Sequence, residues 1–397
     1  MSGSEQIKDP GKLVVPVAVM AVFGAMVVLG AGTFALALRS DPTRAWASFI
    51  HNHFYFLSLG LGGIFFAALQ WLTGAMWSAP VRRVAESFTA YLPVGAVTFA
   101  ILYFGMHELY PWMHSEHVHG DPGLEHKAAY LNVGFFVVRN VVAFALWIFF
   151  TRKMIGNSLK QDRDKDVAWT LRNRAWAPAF MMVFAITYTM TSFDQLMSLD
   201  PHWFSTMFGV YCFAGLFYST LALTTLLTLL IQRTGRLNGI VNDNHLHDLG
   251  KLMFAFTVFW AYIGFSQFML IWYANMPEET GYFARRFNDS WLYVSIFLFV
   301  GKFLTPFFLL LQRQNKRSHG RLAFVGCWMM MAQWVDILWL VQPEFFKTGP
   351  QVGWVEIGVM LGFAGAFGLM VSRFLSRNSI VAIGDPKLAQ AVFHHHQ

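Results

Sequence analysis

The sequence predicts an all-α integral membrane protein in which ten transmembrane helices form two pseudo-repeated four-helix bundles (spans 2–5 and 6–9), flanked by helices 1 and 10. Three observations predict this fold class: charged residues make up only 13% of the 397 residues, hydrophobic residues make up 56%, and apolar runs recur along the chain. Soluble domains contain about 25% charged residues. A soluble protein of this composition would expose large apolar patches, which excludes a soluble enzyme, a disordered chain and a nucleic-acid-binding protein.

The ten spans follow from apolar runs, because a helix needs roughly 20 apolar residues to cross ~30 Å of hydrocarbon. In chain order they cover residues 12–38, 54–77, 88–106, 128–151, 175–193, 205–231, 250–273, 291–311, 322–342 and 354–373. The first run is too long for the apolar part of a signal peptide and ends without a small-residue cleavage site, so it is assigned as a helix. No linker separates a soluble unit, so residues 1–397 are treated as a single polytopic membrane domain.

The basic residues are distributed unevenly between alternate connections. The two termini and the connections on their side hold 20 Lys and Arg residues, whereas the opposite connections hold 6. Since cytoplasmic loops carry the excess of Lys and Arg, both termini are expected in the cytoplasm.

Spans 2–5 and 6–9 share three spacings, which predict an internal repeat of approximately residues 51–201 and 202–343. Spans 2 and 6 each open with a His seven residues before a Gly, and spans 5 and 9 each close with an Asp seven residues before a Pro. Spans 4 and 8 each place one basic residue about eleven residues in. The residues in question are His53, Gly60, His202, Gly209, Asp194, Pro201, Asp336, Pro343, Arg139 and Lys302.

The repeated charges are expected deep in their spans. At 1.5 Å per residue, Asp194 and Asp336 lie roughly 10 Å inside the outer helix ends, and Arg139 and Lys302 roughly 16 Å down, near the midplane. Such a group costs at least ~2.5 kcal/mol, so it must face a partner or a water-filled cavity. These four residues are the first candidates for a transmembrane proton route; the alternative is a buried ion pair that only fixes helix register. Lys302 can release a proton in a desolvated site, whereas Arg139 stays charged.

Further proton-route candidates lie at the span ends. They are His53, His107, Glu108 and His202 on the outer side, and His247, Asp248 and Lys251 on the inner side. Histidine titrates near neutral pH, which suits proton exchange with water; the alternatives are a solvated or partner-facing outer loop and a polar inner collar. Residues 107–126 are rich in His and carboxylates but match no zinc spacing, so no metal site is expected. Polar residues of spans 7 and 9 could line a proton wire or a quinone-sized slot, or bond helix to helix: Tyr262, Ser266, Gln267, Trp272 and Gln333.

Redox cofactors are not expected in this chain. Cys212 and Cys327 are the only cysteines, too few for a four-thiolate Fe–S cluster, and no Cys-x-x-Cys-His motif supports covalent haem. All 14 histidines are assigned to loops, tails or helix ends, so axial ligands for a membrane haem are missing. A quinone or a lipid is left open as a small-molecule ligand.

Three stretches carry a resemblance to a known family: 51–60 (HNHFYFLSLG), 193–211 (FDQLMSLDPHWFSTMFGVY) and 266–280 (SQFMLIWYANMPEET). They resemble the F subunit of bacterial alternative complex III, within the NrfD/polysulfide-reductase-like membrane subunits. The resemblance implies two four-helix bundles in a bacterial inner membrane quinol oxidoreductase that delivers electrons to cytochrome c or a terminal oxidase. It also implies partner subunits: an NrfD-like sister, an Fe–S protein and c-type cytochromes, which hold the clusters and haems.

The resemblance leaves the task of this subunit open. The leading hypothesis is a non-redox membrane subunit that offers a proton route through one or both bundles. The alternatives are a quinone-binding subunit in its own right and a structural scaffold without proton conduction. A secondary transporter is disfavoured, because no pair of broken helices points at a shared substrate site.

Overall fold

The computed structural model describes residues 9–114 and 120–393, which are helical with short connections. The helices are α1 Val17–Ser40, α2 Pro42–Thr73, α3 Ala79–Leu109, α4 Pro122–Lys127, α5 Val133–Asp164, α6 Ala168–Gln195, α7 Phe208–Arg233, α8 Asp243–Ala274, α9 Pro277–Phe287, α10 Trp291–Leu311, α11 His319–Val341, α12 Trp354–Arg377 and α13 Leu388–Val392. Helix α3 tightens into 3₁₀ turns at Thr89–Tyr91 and Tyr103–Gly105, and α10 widens into a π-helical stretch at Leu298–Leu304.

Within the described residues, nine helices are long and apolar enough to cross a membrane: α1, α2, α3, α5, α7, α8, α10, α11 (with its 3₁₀ end to Glu344) and α12. The chain is therefore a multi-pass helical membrane protein. The predicted span 175–193 lies within α6, whose hydropathy is lowered by Pro178 and by polar residues such as Ser192 and Asp194. The count of ten spans stays a prediction.

The long helices form two closed rings of four neighbours. Helices α2, α3, α5 and α6 each contact the next and close back on α2, and α7, α8, α10 and α11 do the same. We call these rings bundle 1 and bundle 2. Helix α2 also packs on α7 and α11, so it joins the two bundles. The duplication behind the predicted repeat stays a prediction.

Helices α1 and α12 pack closely together beside α2 through small residues. A Cβ atom on Gly30 would lie 2.2 Å from Gly362 Cα, and one on Gly365 would lie 2.6 Å from Phe23 O. Such contacts let two backbones approach within a membrane, where packing rather than water exclusion holds helices together.

Two helix starts differ from the predicted spans. Helix α2 begins at Pro42 rather than near residue 54. Its N-terminal cap is Asp41, whose side chain accepts a hydrogen bond from Arg44 N. Helix α5 begins at Val133 rather than near 128, with Asn132 capping Phe135 N. The polar residues that hid the start of α2 are mostly buried, and the revised starts change the depth of several candidate residues.

Both described chain ends meet on one side of the molecule, which we call the termini face; the other side is the opposite face. Lys12 pairs with Ser379 in an antiparallel bridge, and Leu13 N donates to Leu375 O. The C-terminal segment then crosses both bundles: Asp385 pairs with Arg82 of α3 at 2.7 Å, and Ala391 O bonds His245 of α8.

Candidate functional site

Lys302 lies in the core of bundle 2 with no solvent exposure. It follows the first residue of α10 by eleven residues, which places its backbone about 16 Å along the helix. Its Nζ lies 2.5 Å from Asp336 Oδ2 and 2.7 Å from Gln333 Oε1, both on α11. The ammonium also lies 4.1 Å from the centroid of the Trp260 ring, a favourable cation–π distance. The structure thus brings together Lys302 and Asp336, as the depth argument required.

Asp336 has a second donor on the other side of its carboxylate. The Tyr211 hydroxyl, near the start of α7, donates to Asp336 Oδ1. Tyr211, Asp336, Lys302 and Gln333 therefore form one continuous hydrogen-bonded group contributed by three helices. Its place coincides with the π-helical stretch of α10, an irregularity that is frequent at functional sites.

Bundle 1 contains the corresponding pair, Arg139 and Asp194. Arg139 Nε and Nη2 donate to the two Asp194 carboxylate oxygens at 3.0 and 2.8 Å, which is the bidentate fork that guanidinium favours. Asn140 adds a donor at 3.1 Å, and the Tyr130 ring lies 3.7 Å from the guanidinium carbon. Every strong donor and acceptor of this pair is engaged in fixed geometry.

The predicted depth of the bundle 1 pair is wrong. Asp194 is the penultimate residue of α6, not about 10 Å inside it, and Arg139 is six residues, about 9 Å, into α5 rather than near the midplane. The causes are that α5 starts later than predicted and that α6 ends at Gln195, six residues before the Pro201 from which the depth of Asp194 was counted. The two pairs thus match in partners but differ in depth and in chemistry, because lysine can give up a proton and arginine cannot.

Buried hydroxyls continue from Lys302 toward the termini face, a feature that the sequence reasoning missed. Tyr218 on α7 donates to the Lys302 carbonyl oxygen. The following buried side chains are Ser219, Thr220, Thr224, Thr225 and Thr228 on α7 and Thr257 on α8. Ser219, Thr220, Thr224 and Thr225 each donate to a backbone carbonyl of α7, and Thr257 donates to one of α8. The signal was present in the sequence as Thr220, Thr224 and Thr228 at four-residue spacing, which places these three on one side of a helix.

On the opposite face an ionic cluster covers bundle 2. Arg285 of α9 pairs with Asp200 and, at 3.0 Å, with Glu344; Arg286 also pairs with Glu344 at 3.0 Å. Burial opposes the charge of Arg285, but the Glu344 and Asp200 carboxylates outweigh it and raise the pKa of Arg285 above its ordinary value. The cluster ends just above Trp339 and Tyr282, which line the cavity described below.

The assignment of all histidines to loops or helix ends is wrong for two of them. His51 and His53 lie inside α2, fully buried, with His53 about 16 Å from the helix start. His51 Nε2 bonds the Trp334 carbonyl and His53 Nδ1 bonds Thr98 Oγ1, each at 2.8 Å. They point to different neighbours, α11 and α3. The argument against haem assumed that no histidine lies inside a helix, and this assumption does not hold for His51 and His53. The absence of haem therefore stays a prediction.

The other outer candidates do not join the buried group. His107 and Glu108 are exposed at the end of α3, where the His107 ring packs against His114 and Glu108 accepts from Thr43. His202 lies in a turn before α7 and faces Asp121 at 3.4 Å, so it does not correspond in environment to His53. The predicted stretch 107–126 includes Glu116, His117 and His119, which lie outside the described residues.

The inner candidates lie at the start of α8 on the termini face. Asp248 and Lys251 form a salt bridge of 2.6 Å in which the Lys251 side chain is half exposed, and His247 is buried beside them. They lie at the end of bundle 2 toward which the hydroxyls of α7 lead.

A second buried charge cluster occupies the same end of bundle 1. Glu86, assigned to a loop by the sequence, lies inside α3 with no exposure and pairs with Arg82 and Arg83. Arg83 also bonds Asp162 of α5, and Ser158 donates to Glu86. These charges can be buried together because each carboxylate is paired with a guanidinium group.

Bundle 2 also contains an elongated cavity of about 560 Å³ beneath α9, between α8 and α10. Its walls are almost entirely aromatic and aliphatic, and Tyr211 and Trp260 separate it from Lys302 and Asp336. Gln267 and Tyr262, candidates for a quinone-sized slot, line it; Gln333 instead bonds Lys302. The cavity is open on the side where Tyr262, Phe265 and Phe299 are exposed.

Across residues 9–114 and 120–393, no group of three or more His, Cys, Asp or Glu side chains is placed to hold a metal ion. Comparison of the chain with models of known protein families and with curated proteins found no match.

Proposed function

We propose that the chain is an integral subunit of a quinol:electron-acceptor oxidoreductase of the alternative complex III type in a bacterial inner membrane, with both termini cytoplasmic. The three stretches that resemble the family support the assignment, and the excess of Lys and Arg on the termini side supports the orientation. Electrons travel through clusters and haems in partner subunits. This chain contributes no redox centre.

The task of the subunit within that complex is proton transfer through bundle 2. The observation that carries this proposal is the fully buried Lys302–Asp336 pair, whose direct contact allows a proton to pass between them. The transfer breaks an N–H bond of the ammonium and forms an O–H bond on the carboxylate, so a charged pair becomes a neutral one. The neutral pair avoids the cost of charge in a dry interior.

Both sides of the pair lead toward a polar surface. The hydroxyls of α7 and Thr257 lead toward His247, Asp248 and Lys251 at the termini face. On the other side, Tyr211 contacts Asp336 and the Asp200–Arg285–Glu344 cluster covers the bundle. Water molecules between these groups would complete the route, since buried polar groups commonly bind water.

Bundle 1 has a structural task in this proposal. Arg139 remains protonated at any physiological pH, so the Arg139–Asp194 pair cannot exchange a proton and instead fixes α5 against α6. The two bundles then share a similar arrangement of charges, but only bundle 2 conducts protons.

The test compares three variants of the intact complex in proteoliposomes, with protons translocated per electron as the readout. Lys302→Arg retains the positive charge but loses the exchangeable proton, and Asp336→Asn removes the acceptor. We expect both to reduce proton translocation while quinol oxidation continues. Arg139→Lys, the matched control, should retain the wild-type ratio. An unchanged ratio in Lys302→Arg and Asp336→Asn would leave a structural scaffold as the function.

A second candidate function is quinone binding, and the cavity of bundle 2 favours it. Its volume of about 560 Å³ and aromatic walls lie in the range of small-molecule sites. Trp260 and Trp339 line it, so a bound quinone should quench their fluorescence. Titration with short-chain menaquinone and ubiquinone analogues should quench the wild type, but not Ala261→Phe, which fills the cavity. Equal quenching of both proteins would place the quinone elsewhere.

A further inference from the structure

A small polar pocket lies at the termini face of bundle 1, where the end of α2, the first turns of α6 and the C-terminal segment meet. Its walls include Trp71, Gly74, Arg174, Asp385 and Lys387. Trp71 follows the first residue of α2 by 29 residues, which places it about 44 Å along a helix that starts at the opposite face. A bilayer with its headgroups is ~40–45 Å thick. The pocket therefore lies at the level where lipid headgroups meet water.

Cations outnumber carboxylates in the walls of this pocket. The charged wall residues are Arg82, Arg174, Lys387 and a single acid, Asp385. Asp385 pairs with Arg82 at 2.7 Å, and the neighbouring Glu86 and Asp162, which lie outside the walls, pair with arginines of α3. In the described part of the chain, neither Arg174 nor Lys387 forms a salt bridge.

These two unpaired cations approach each other beside the turn at Gly74. A Cβ atom on Gly74 would lie 2.9 Å from Arg174 Nη2 and 3.3 Å from Lys387 Nζ. The two nitrogens therefore lie within about 6 Å of each other, a distance at which like charges repel. Lys387 donates to the Gly74 carbonyl oxygen, which leaves two of its three N–H groups for a ligand. An anion bound between the two cations would remove the repulsion.

Trp71 adds a buried hydrogen-bond donor to the walls. The residue is 3% exposed, and its ring lies 4.9 Å from the guanidinium carbon of Arg82. Its Nε1–H is buried and has no acceptor among the described residues. Because an unpaired buried donor costs free energy, this N–H calls for an acceptor. The pocket volume of about 20 Å³ holds one water-sized group, such as one oxygen atom of a larger anion.

We propose that this pocket binds one phosphate group. One phosphate oxygen enters the pocket beside Trp71, and the other oxygens lie between Arg174 and Lys387. Guanidinium and ammonium groups make strong, charge-assisted hydrogen bonds to phosphate. A lipid headgroup and free phosphate share this chemistry, and both reach the headgroup level. Binding joins the C-terminal segment to α6 through Lys387. The site contains none of the residues of the proposed proton route, so it is independent of that proposal.

The test measures binding on the full chain in mild detergent with two kinds of probe. Inorganic phosphate is titrated against chloride at equal ionic strength, with the thermal unfolding temperature as the readout. Phosphatidylglycerol is compared with diacylglycerol of identical acyl chains by native mass spectrometry. Saturable stabilisation by phosphate alone assigns the site to a soluble phosphate group, and retention of phosphatidylglycerol over diacylglycerol assigns it to a lipid headgroup. Binding of neither probe would overturn the site.

Two variants test whether binding uses the pocket. Arg174→Gln/Lys387→Gln should weaken binding roughly 30-fold. Trp71→Phe retains a ring next to Arg82 but loses the N–H group, and should weaken binding roughly 10-fold. The matched control, Lys165→Gln/Arg172→Gln, removes two exposed charges nearby that do not line the pocket, and should bind as the wild type does. Equal loss in the double variant and its control, or wild-type affinity in Trp71→Phe, would overturn the proposal.

Discussion

Replacing Lys302 by methionine removes the cation that neutralises Asp336 in the core of bundle 2. The structure leaves the carboxylate with the Tyr211 hydroxyl as its remaining donor among the contacts described above. Breaking a buried ion pair by removing one partner typically costs 3–5 kcal/mol. An independent limit gives the same size: neutralising a carboxyl of ordinary pKa ~3.9 at pH 7 costs about 4 kcal/mol, at 1.36 kcal/mol per pH unit.

The same argument fixes the sign of the pH dependence. An unpaired buried carboxylate is relieved by taking up a proton, so the deficit of Lys302→Met should shrink as the pH falls. Asp336→Leu leaves an unpaired ammonium, which is relieved by losing a proton, so its deficit of about 4–5 kcal/mol should shrink as the pH rises. The double variant leaves neither charge and should cost less than either single change.

The assay is reversible unfolding in mixed detergent micelles at pH 6, 7.5 and 9, followed by circular dichroism, for the two single variants and the double variant. Bundle 1 supplies the control. Asp194→Leu leaves Arg139, which does not deprotonate, so its deficit should not shrink as the pH rises. Parallel pH profiles for Asp336→Leu and Asp194→Leu would refute the claim that the two pairs differ in chemistry.

Three further outcomes are expected elsewhere in the molecule. Gly30→Leu should cost about 1–3 kcal/mol by forcing α1 from α12, whereas Gly32→Leu, with no atom within 4 Å of the added Cβ, should unfold as the wild type does. Burial opposes the charge of Asp385, but Arg82 and the Lys387 backbone N–H outweigh it and lower its pKa below 3.8, so the stability that this carboxylate adds is present above pH 3.8 and lost as the pH falls through the lowered value. Asp385→Asn should accordingly be less stable than the wild type at pH 7, and the difference should shrink as the pH falls below 3.8, as measured by thermal unfolding. Thr225→Val/Thr228→Val should slow proton transfer in proteoliposomes with little loss of quinol oxidation, and an unchanged rate would argue against the hydroxyl column as the inner route.

The two ion pairs could be predicted from the sequence because the cost of charge in an apolar span demands a partner. Arg139 and Lys302 interrupt long apolar runs, and the last helix of each predicted repeat unit contains one acid at the corresponding place, Asp194 or Asp336. The reasoning needed only hydropathy and spacing. It could not give the depth of the bundle 1 pair, because that depth depends on where α5 starts.

The polar start of α2 shows why other features were missed. Arg44, His51, Asn52 and His53 have the composition of a loop, yet α2 runs through them and most are buried. Helix α2 lies between the two bundles, so its polar side chains find partners on α11, α12 and α3: Arg44 with Glu356, His51 with Trp334 and His53 with Thr98. Hydropathy ranks each residue by its preference for an apolar environment over water, whereas the neighbours of these side chains are polar groups of the protein.

The two bundles also differ in the chemistry of their buried charges. In bundle 1 the outer pair is a bidentate fork braced by Asn140 and Tyr130, and the inner cluster around Glu86 is closed by two arginines, so each charge is held by groups that cannot release a proton. In bundle 2 the cation is a lysine, its acid is shared with a tyrosine, and hydroxyls lead away from it. A proton route needs groups whose two protonation states are close in free energy, and rigid guanidinium pairs do not supply them. Arg139 and Lys302 stand at corresponding positions of the predicted repeat, and in the proposed function conduction depends on the lysine.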